Sequence, residues 1–219
     1  MKQRAHITIS LAFACCALLL SANVRARAAQ NSQTSAKSVD SAAAQSIAAR
    51  MVPAQAVLDK ELDAKKMQPG EQFRASLSET VHLKNGTELP RGTVLVGTIA
   101  TDKMHSGGRQ STLALRFTQA ELKDGKAIPI EAAIVGIAPP EYGAAWDGSD
   151  AQAPPDSWNG TALQVDDIGV LSGVDLHSKI AGQNSGVFVS TKKSDMKLAA
   201  RSQMSLAIAP EQSTRSGGA

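Results

Sequence analysis

Cysteine is almost missing. The 219 residues hold two, Cys15 and Cys16, and both lie within the first 28. Downstream of them neither a disulfide nor a thiolate is available, so an exported chain of this kind must rely on its hydrophobic core. Aromatic residues are equally scarce, at 3%, with one Tyr, two Trp and four Phe. Acids are absent from the first 28 residues, which carry Lys2, Arg4, Arg25 and Arg27. With that segment set aside, 19 of the 23 Lys and Arg residues remain against 20 Asp and Glu, and the formal charge of +3 becomes −1. A strongly basic nucleic-acid binder is thereby excluded. What is present is globular composition: 42% hydrophobic and 20% charged residues, with 17 Gly and 9 Pro in no collagen-like period.

The N-terminus predicts a secretory signal over residues 1–28. Met1-Lys2-Gln3-Arg4 is a positive start, and Ile7 to Leu20 is an apolar run broken only by Thr8 and Ser10. Ala26-Arg27-Ala28 then offers a small-x-small site, with cleavage between Ala28 and Ala29. The rival reading is a retained anchor, but the run falls short of the ~20 residues that cross a bilayer. A lipoprotein site at Cys15 or Cys16 fits poorly, because bulky Phe13 precedes them and both sit inside the apolar run. The expected protein is periplasmic or secreted, and is not an integral membrane protein once processed.

Residues 29–53 read as a linker with one short helix. Gln30 to Lys37 has linker composition, while Val39, Ala43, Ile47 and Met51 recur every four residues, with Ser38 or Asp40 as N-cap and Pro53 as the stop. From residue 54 to 210 the period changes to two. Phe73, Ala75, Leu77, Val81 and Leu83 alternate with polar residues, and only Glu79 breaks the apolar face, as expected near a strand end or bulge. Leu113, Leu115 and Phe117 continue the pattern, as do Ile128, Ile130, Ala132 and Ile134, and Met204, Leu206 and Ile208. Val94 to Ala100 is apolar on both faces, as in a central strand. Asn85-Gly86 and Asp124-Gly125 signal hairpins, Pro69-Gly70, Pro90-Arg91-Gly92 and Gly107-Gly108 mark further breaks, and Pro129 implies an edge or bulge. The fold class is therefore mainly β: a small antiparallel barrel or sandwich with a long loop insertion over 138–183, one short N-terminal helix, and a flexible tail over 211–219. The strands lack the apolar bands and aromatic girdles of an outer-membrane barrel.

Several of these segments come in a familiar order. Ala56-Val57-Leu58-Asp59-Lys60-Glu61-Leu62-Asp63 precedes Pro69-Gly70 and the strand from Phe73. Leu89-Pro90-Arg91-Gly92-Thr93-Val94-Leu95-Val96-Gly97 follows, then Leu113 to Phe117, Lys123-Asp124-Gly125, and a closing stretch from Leu198 to Ile208. The arrangement resembles the periplasmic β-barrel domain of TrbI-like proteins, the scaffold subunits of conjugation and type IV secretion channels, over about 110 of the 219 residues. The resemblance implies a barrel fold and a place in a secretion assembly. Its motifs are turns and strands rather than catalytic residues. The chain departs from that family in having a cleavable leader, only about 25 residues before the barrel, and a 138–183 segment too rich in Pro, Gly and Asp to form membrane helices.

The 138–183 segment also holds Tyr142, Trp146 and Trp158, every Tyr and Trp of the chain. These are the candidate binding residues, since aromatic rings on loops of a rigid scaffold serve as interface anchors. The plainer alternative is that they fold back as a lid on one barrel end. No catalytic residue is assigned. Asp166 and Asp167 are adjacent and would face opposite ways on a strand, and Asp175-Leu176-His177 reads as a salt bridge. His82, His105 and His177 lack zinc spacing, Asp147-Gly148-Ser149-Asp150 lacks the distal acid of a calcium loop, and Lys192, Lys193 and Lys197 form a solvated basic cluster. No cofactor and no metal are expected. The predicted function is non-enzymatic binding or assembly in the cell envelope, with an envelope protein or cell-wall glycan as partner, no nucleic acid, and the oligomeric state open. The alternative is an envelope hydrolase, or a glycan- or peptidoglycan-binding module, with its site at the 138–183 loop. A hydrolase would need converging acids or a base–nucleophile pair in a cleft.

Overall fold

The computed structural model describes residues 41–100, 110–140, 160, 162–192 and 196–211. A helix, α1, spans residues 41–50. The strands that follow are β1 Val52–Leu58, β2 Leu62–Asp63, β3 Gln72–Leu77, β4 Val81–His82, β5 Glu88–Leu89, β6 Val94–Ile99, β7 Thr112–Glu121, β8 Ala127–Ala138, β9 Gln164–Leu171, β10 Val174–Lys179, β11 Gly186–Ser190, β12 Lys197–Leu198 and β13 Gln203–Pro210.

Six strands close on themselves in the order β6-β3-β1-β13-β8-β7, with β6 pairing β7 to complete an antiparallel barrel. Closure gives every strand in the ring a neighbour on both sides, which no open sheet can do. The interior is packed with side chains: Leu58, Leu77, Leu95, Leu113, Leu115, Phe117, Ile130, Ile134, Met204 and Leu206 all belong to one buried cluster. Phe73 meets Phe117 edge-on, with ring centroids 5.0 Å apart and planes at 62°. The alternation read from the sequence thus points the expected residues inward. Val96 is buried too, yet lies outside that cluster.

Helix α1 forms because seven of its ten residues are alanine or another strong helix former, and it ends where Val52-Pro53 enters β1. The Lys84 ammonium donates to the carbonyl of Ala49 and covers one of the free acceptors at the helix end. The covered face is Ala44, Ile47, Ala48 and Met51: Ile47 and Met51 lie on it as the spacing of four suggested, whereas Ala43 is exposed and Ala44 and Ala48 are buried beside them. This face covers Ala133, Val135, Ala207 and Ala209 on the outside of β8 and β13, forming a second buried cluster.

The turns follow their sequence signals with one refinement. At Leu83–Thr87 and Leu122–Lys126 the same geometry repeats: the Gly N–H donates to the first carbonyl, and the outer residues pair at 2.8 and 2.9 Å. Gly86 and Gly125 carry φ of +83° and +84°, while Asn85 and Asp124 use their side chains to accept the N–H of Thr87 and Lys126. These are three-residue loops with a glycine bulge, not two-residue turns. Glu79 is exposed in the bend between β3 and β4.

The stretch expected as a long loop over 138–183 is partly regular. It holds β9 and β10, which join β11 and continue the sheet outward from β7 in the order β7-β11-β10-β9. The sequence hid this ribbon because β9 is exposed along most of its length and so carries no apolar alternation. Elsewhere β2 pairs β12, and Asp63 clasps them together: its side chain is 6% exposed and lies 3.0 Å from the Lys197 ammonium and 3.5 Å from that of Lys66. Burial alone would raise the Asp63 carboxyl. The hydrogen bonds from Lys197 and the Lys65 N–H, with the charges of Lys197 and Lys66, outweigh it and hold the group below its ordinary 3.8.

Candidate functional site: a cleft where β7 and β8 part

β7 and β8 begin as an ordinary hairpin but separate. Their pairing covers only Gln119↔Pro129, Ala120↔Ile128 and Glu121↔Ala127. Against β6, Val96 faces Gln119 while Gly97 faces Phe117, so Thr118 is an extra residue on β7. A bulge of this kind bends its strand and changes which backbone groups face each neighbour. Below Thr118, β7 turns its edge to β11, pairing Leu115↔Gly186 and Leu113↔Phe188. β8 meanwhile stays with β13 through Pro210↔Ile130 and onward. Pro129 sits at this changeover. Its carbonyl accepts the Glu211 N–H, just beyond the end of β13, so its missing N–H interrupts no ladder.

Ser185 closes the far end of the gap. Its N–H donates to the Leu115 carbonyl at 2.8 Å, its hydroxyl accepts the Phe117 N–H at 2.9 Å, and its carbonyl accepts the Ile134 N–H at 2.8 Å. The Ser178 hydroxyl donates to the Ile134 carbonyl at 2.6 Å. One residue thus joins three strands where no continuous ladder can. Gly186 follows because a Cβ there would come within 3.0 Å of the Ile134 side chain.

Between the hairpin end and Ser185 the fork leaves a cleft of about 210 Å³. Its floor is apolar, with Phe117, Ile130, Ala132 and Ala133 from the strands, Ile47 from α1 and Met51 just beyond it. Its rim is polar and carries both signs of charge: Arg116, Thr118, Glu131, Lys179, Gln183 and Glu211. Arg50 stands behind Glu131, with Nη2 3.6 Å from Oε2, and donates through Nη1 to the Pro210 carbonyl at 3.2 Å. Glu131 Oε2 is buried without a hydrogen-bond partner among the described residues, an uncommon state for a carboxylate oxygen.

The turn at the rim is strained. Gly182 N–H donates to the Lys179 carbonyl at 3.0 Å, and Ala181 in between takes φ +61°, a region that suits glycine. Gly182 cannot itself carry a side chain, since a Cβ would lie 2.8 Å from that carbonyl.

The residues singled out from sequence fall elsewhere. Tyr142, Trp146 and Trp158 lie outside the described residues, as do Ala28 and Ala29, His105 and Asp147 to Asp150. Asp166 and His177 meet on the exposed ribbon, 2.8 Å apart, and do not enter the cleft. The hydrogen bond from His177, then that from Gln164, lowers the Asp166 carboxyl below its ordinary value. Asp167 stands opposite Leu176 on the other face, and Asp175 accepts the Gly169 N–H at 2.8 Å. No group of acids, histidines or cysteines suited to a metal occurs among the described residues. Sequence reasoning missed the cleft because it is made by strand divergence. Pro129 was the one local sign of it. Comparison with protein-family models and with curated proteins gives no match to this chain.

Proposed function

We propose that the protein is a non-enzymatic binding or assembly module of the cell envelope that engages its partner at the β7–β8 cleft. The observation that carries this reading is the cleft itself: an apolar floor under a rim of mixed charge, built on a closed and therefore rigid barrel. The leader-like residues 1–28 support export, and the resemblance to TrbI-like scaffolds supports a role in assembly. Among the described residues no helix is long and apolar enough to cross a membrane.

The test combines fractionation with photo-cross-linking in the native cell. The processed chain should begin near Ala29 by mass spectrometry and partition with the envelope. A cross-linker at Gln183, on the cleft rim, should capture an envelope component that one at Lys123, in the turn that joins β7 to β8, does not. Retention of the Met1 terminus in the cytoplasm, or equal capture at both positions, overturns the reading. A hydrolase is the second reading, because Glu131 and Glu211 both line the cleft. It requires turnover of a cell-wall glycan or peptide that Glu131→Gln abolishes.

A further inference from the structure

We infer that the cleft binds a small organic monocarboxylate, an apolar body about the size of phenylacetate carrying one negative charge. This names the ligand of the cleft already read as a binding site, and it rests on that reading. Charge decides first. Glu131 is answered within the protein, because the Arg50 guanidinium stands 3.6 Å from Oε2, and that oxygen is out of contact with solvent. It offers no free negative charge to a ligand. The remaining charged groups on the rim are Arg116 of β7, Lys179 at the end of β10 and Glu211 just beyond β13. All three are exposed, and none of their side chains forms an ion pair or hydrogen bond with another described residue. Two free cations against one free acid leave the rim with a net charge of +1.

That balance selects the sign of the ligand. A cation would meet net repulsion, a neutral molecule would leave both cations unanswered, and a dianion would bring its second charge against Glu211. A carboxylate suits the two that remain, since guanidinium and ammonium groups both make charge-assisted hydrogen bonds to carboxylate oxygens. The floor selects the rest of the molecule. Ile47 and Ala132 are half-buried and Phe117 and Ile130 buried, so the base of the cleft presents carbon to whatever enters. An apolar base with a few charges at its edge is the ordinary form of a small-molecule site. Volume sets the size: an enclosed cavity of about 150 Å³ holds a benzene-sized molecule. This open cleft has about 210 Å³, enough for one ring and its carboxylate. The neighbouring segment of the chain supplies no such group, because Gln212 to Ala219 carries no apolar side chain larger than that of alanine.

The probe is phenylacetate, titrated into the full processed chain by calorimetry and by NMR. It should saturate one site by about 10 mM and shift the signals of Ile47 and Ala132. Phenylacetamide has the same body without the charge, and acetate has the same head without the body. Each should bind at least about tenfold more weakly. Arg116→Gln and Lys179→Gln should each weaken phenylacetate about fivefold or more. Glu211→Gln should tighten it about twofold, since that variant removes the one opposing charge. All three side chains are exposed, so melting temperatures should stay unchanged, and the two control ligands test the same point on the unaltered protein. No saturation, equal binding of the amide, unshifted Ile47 and Ala132 signals, or weaker binding to Glu211→Gln overturns the inference. Should phenylacetate fail while Gln183 still cross-links to an envelope component, the ligand class is wrong and the function proposed above stands.

Discussion

Gly97 has no room for a methyl group. A Cβ there would lie 2.4 Å from the Phe73 ring and 2.6 Å from the Arg116 carbonyl, and the carbonyl belongs to a paired strand that cannot yield. Gly97→Ala should therefore destabilise the barrel by about 3 kcal/mol, the upper part of the range for overpacking, measured by denaturant unfolding. A loss below about 1 kcal/mol would mean that Phe73 can turn aside. Asp63 makes the pH-dependent contribution. Its carboxyl is held below 3.8 by Lys197 and its neighbours, so its stabilisation is complete above that value and fades as the pH falls through the folded-state value. Asp63→Asn should unfold more easily than the unaltered protein at neutral pH. The gap should narrow below about pH 4, and a gap that stays constant into acid would refute the assignment.

At the scale of elements, three turns differ in quality. The hairpins at Asn85-Gly86 and Asp124-Gly125 put glycine at the positive φ, but the turn at Lys179–Gly182 puts alanine there. Ala181→Gly should stabilise the fold by up to about 1 kcal/mol, the relief of left-handed strain less the entropy of a glycine. A melting temperature that falls would show that the Ala181 methyl is needed at the cleft rim. The ribbon β9–β10 offers a different contrast. Ile180 N–H donates to the Leu163 carbonyl, so Val165 and Asp167 face β10 while Gln164 and Asp166 turn their amides outward. β9 is the one strand of the nine-stranded sheet with a single neighbour among the described residues, and Ile168 on it is 82% exposed. A break in register with Gly169 at φ +70° and two adjacent aspartates guard that edge against association. Hydrogen exchange should be fast at Gln164 and Asp166 and slow at Val165. Uniform protection along β9 would indicate a partner strand on this edge.

For the whole molecule, closure depends on the two ends of the described chain. β1 pairs β13 from Val52↔Ile208 to Val57↔Gln203, a contact across some 150 residues of sequence. Pairings this distant make folding slow, in the millisecond-to-second range of all-β domains, because loop closure comes before any reward. They also make the last strand indispensable. Truncation before Gln203 should abolish cooperative unfolding altogether, since it opens the barrel between β1 and β8. A truncated chain that still melts in one sharp transition would show that five strands suffice. By itself the sequence determined the strand-rich class, the inward residues from Phe73 to Leu83 and from Met204 to Ile208, and the glycine turns, because a period of two and a positive φ are local properties of the chain. It left β9 unread, since an exposed edge strand needs no apolar face, and it placed Ile47 and Met51 on the covered face of the helix but chose Ala43 over Ala44, since which alanines are covered is set by β8 and β13. The cleft was decided by tertiary structure alone. The bulge at Thr118 and the serine bridge at Ser185 are defined only by the strands they face, and those partners lie up to about 70 residues away.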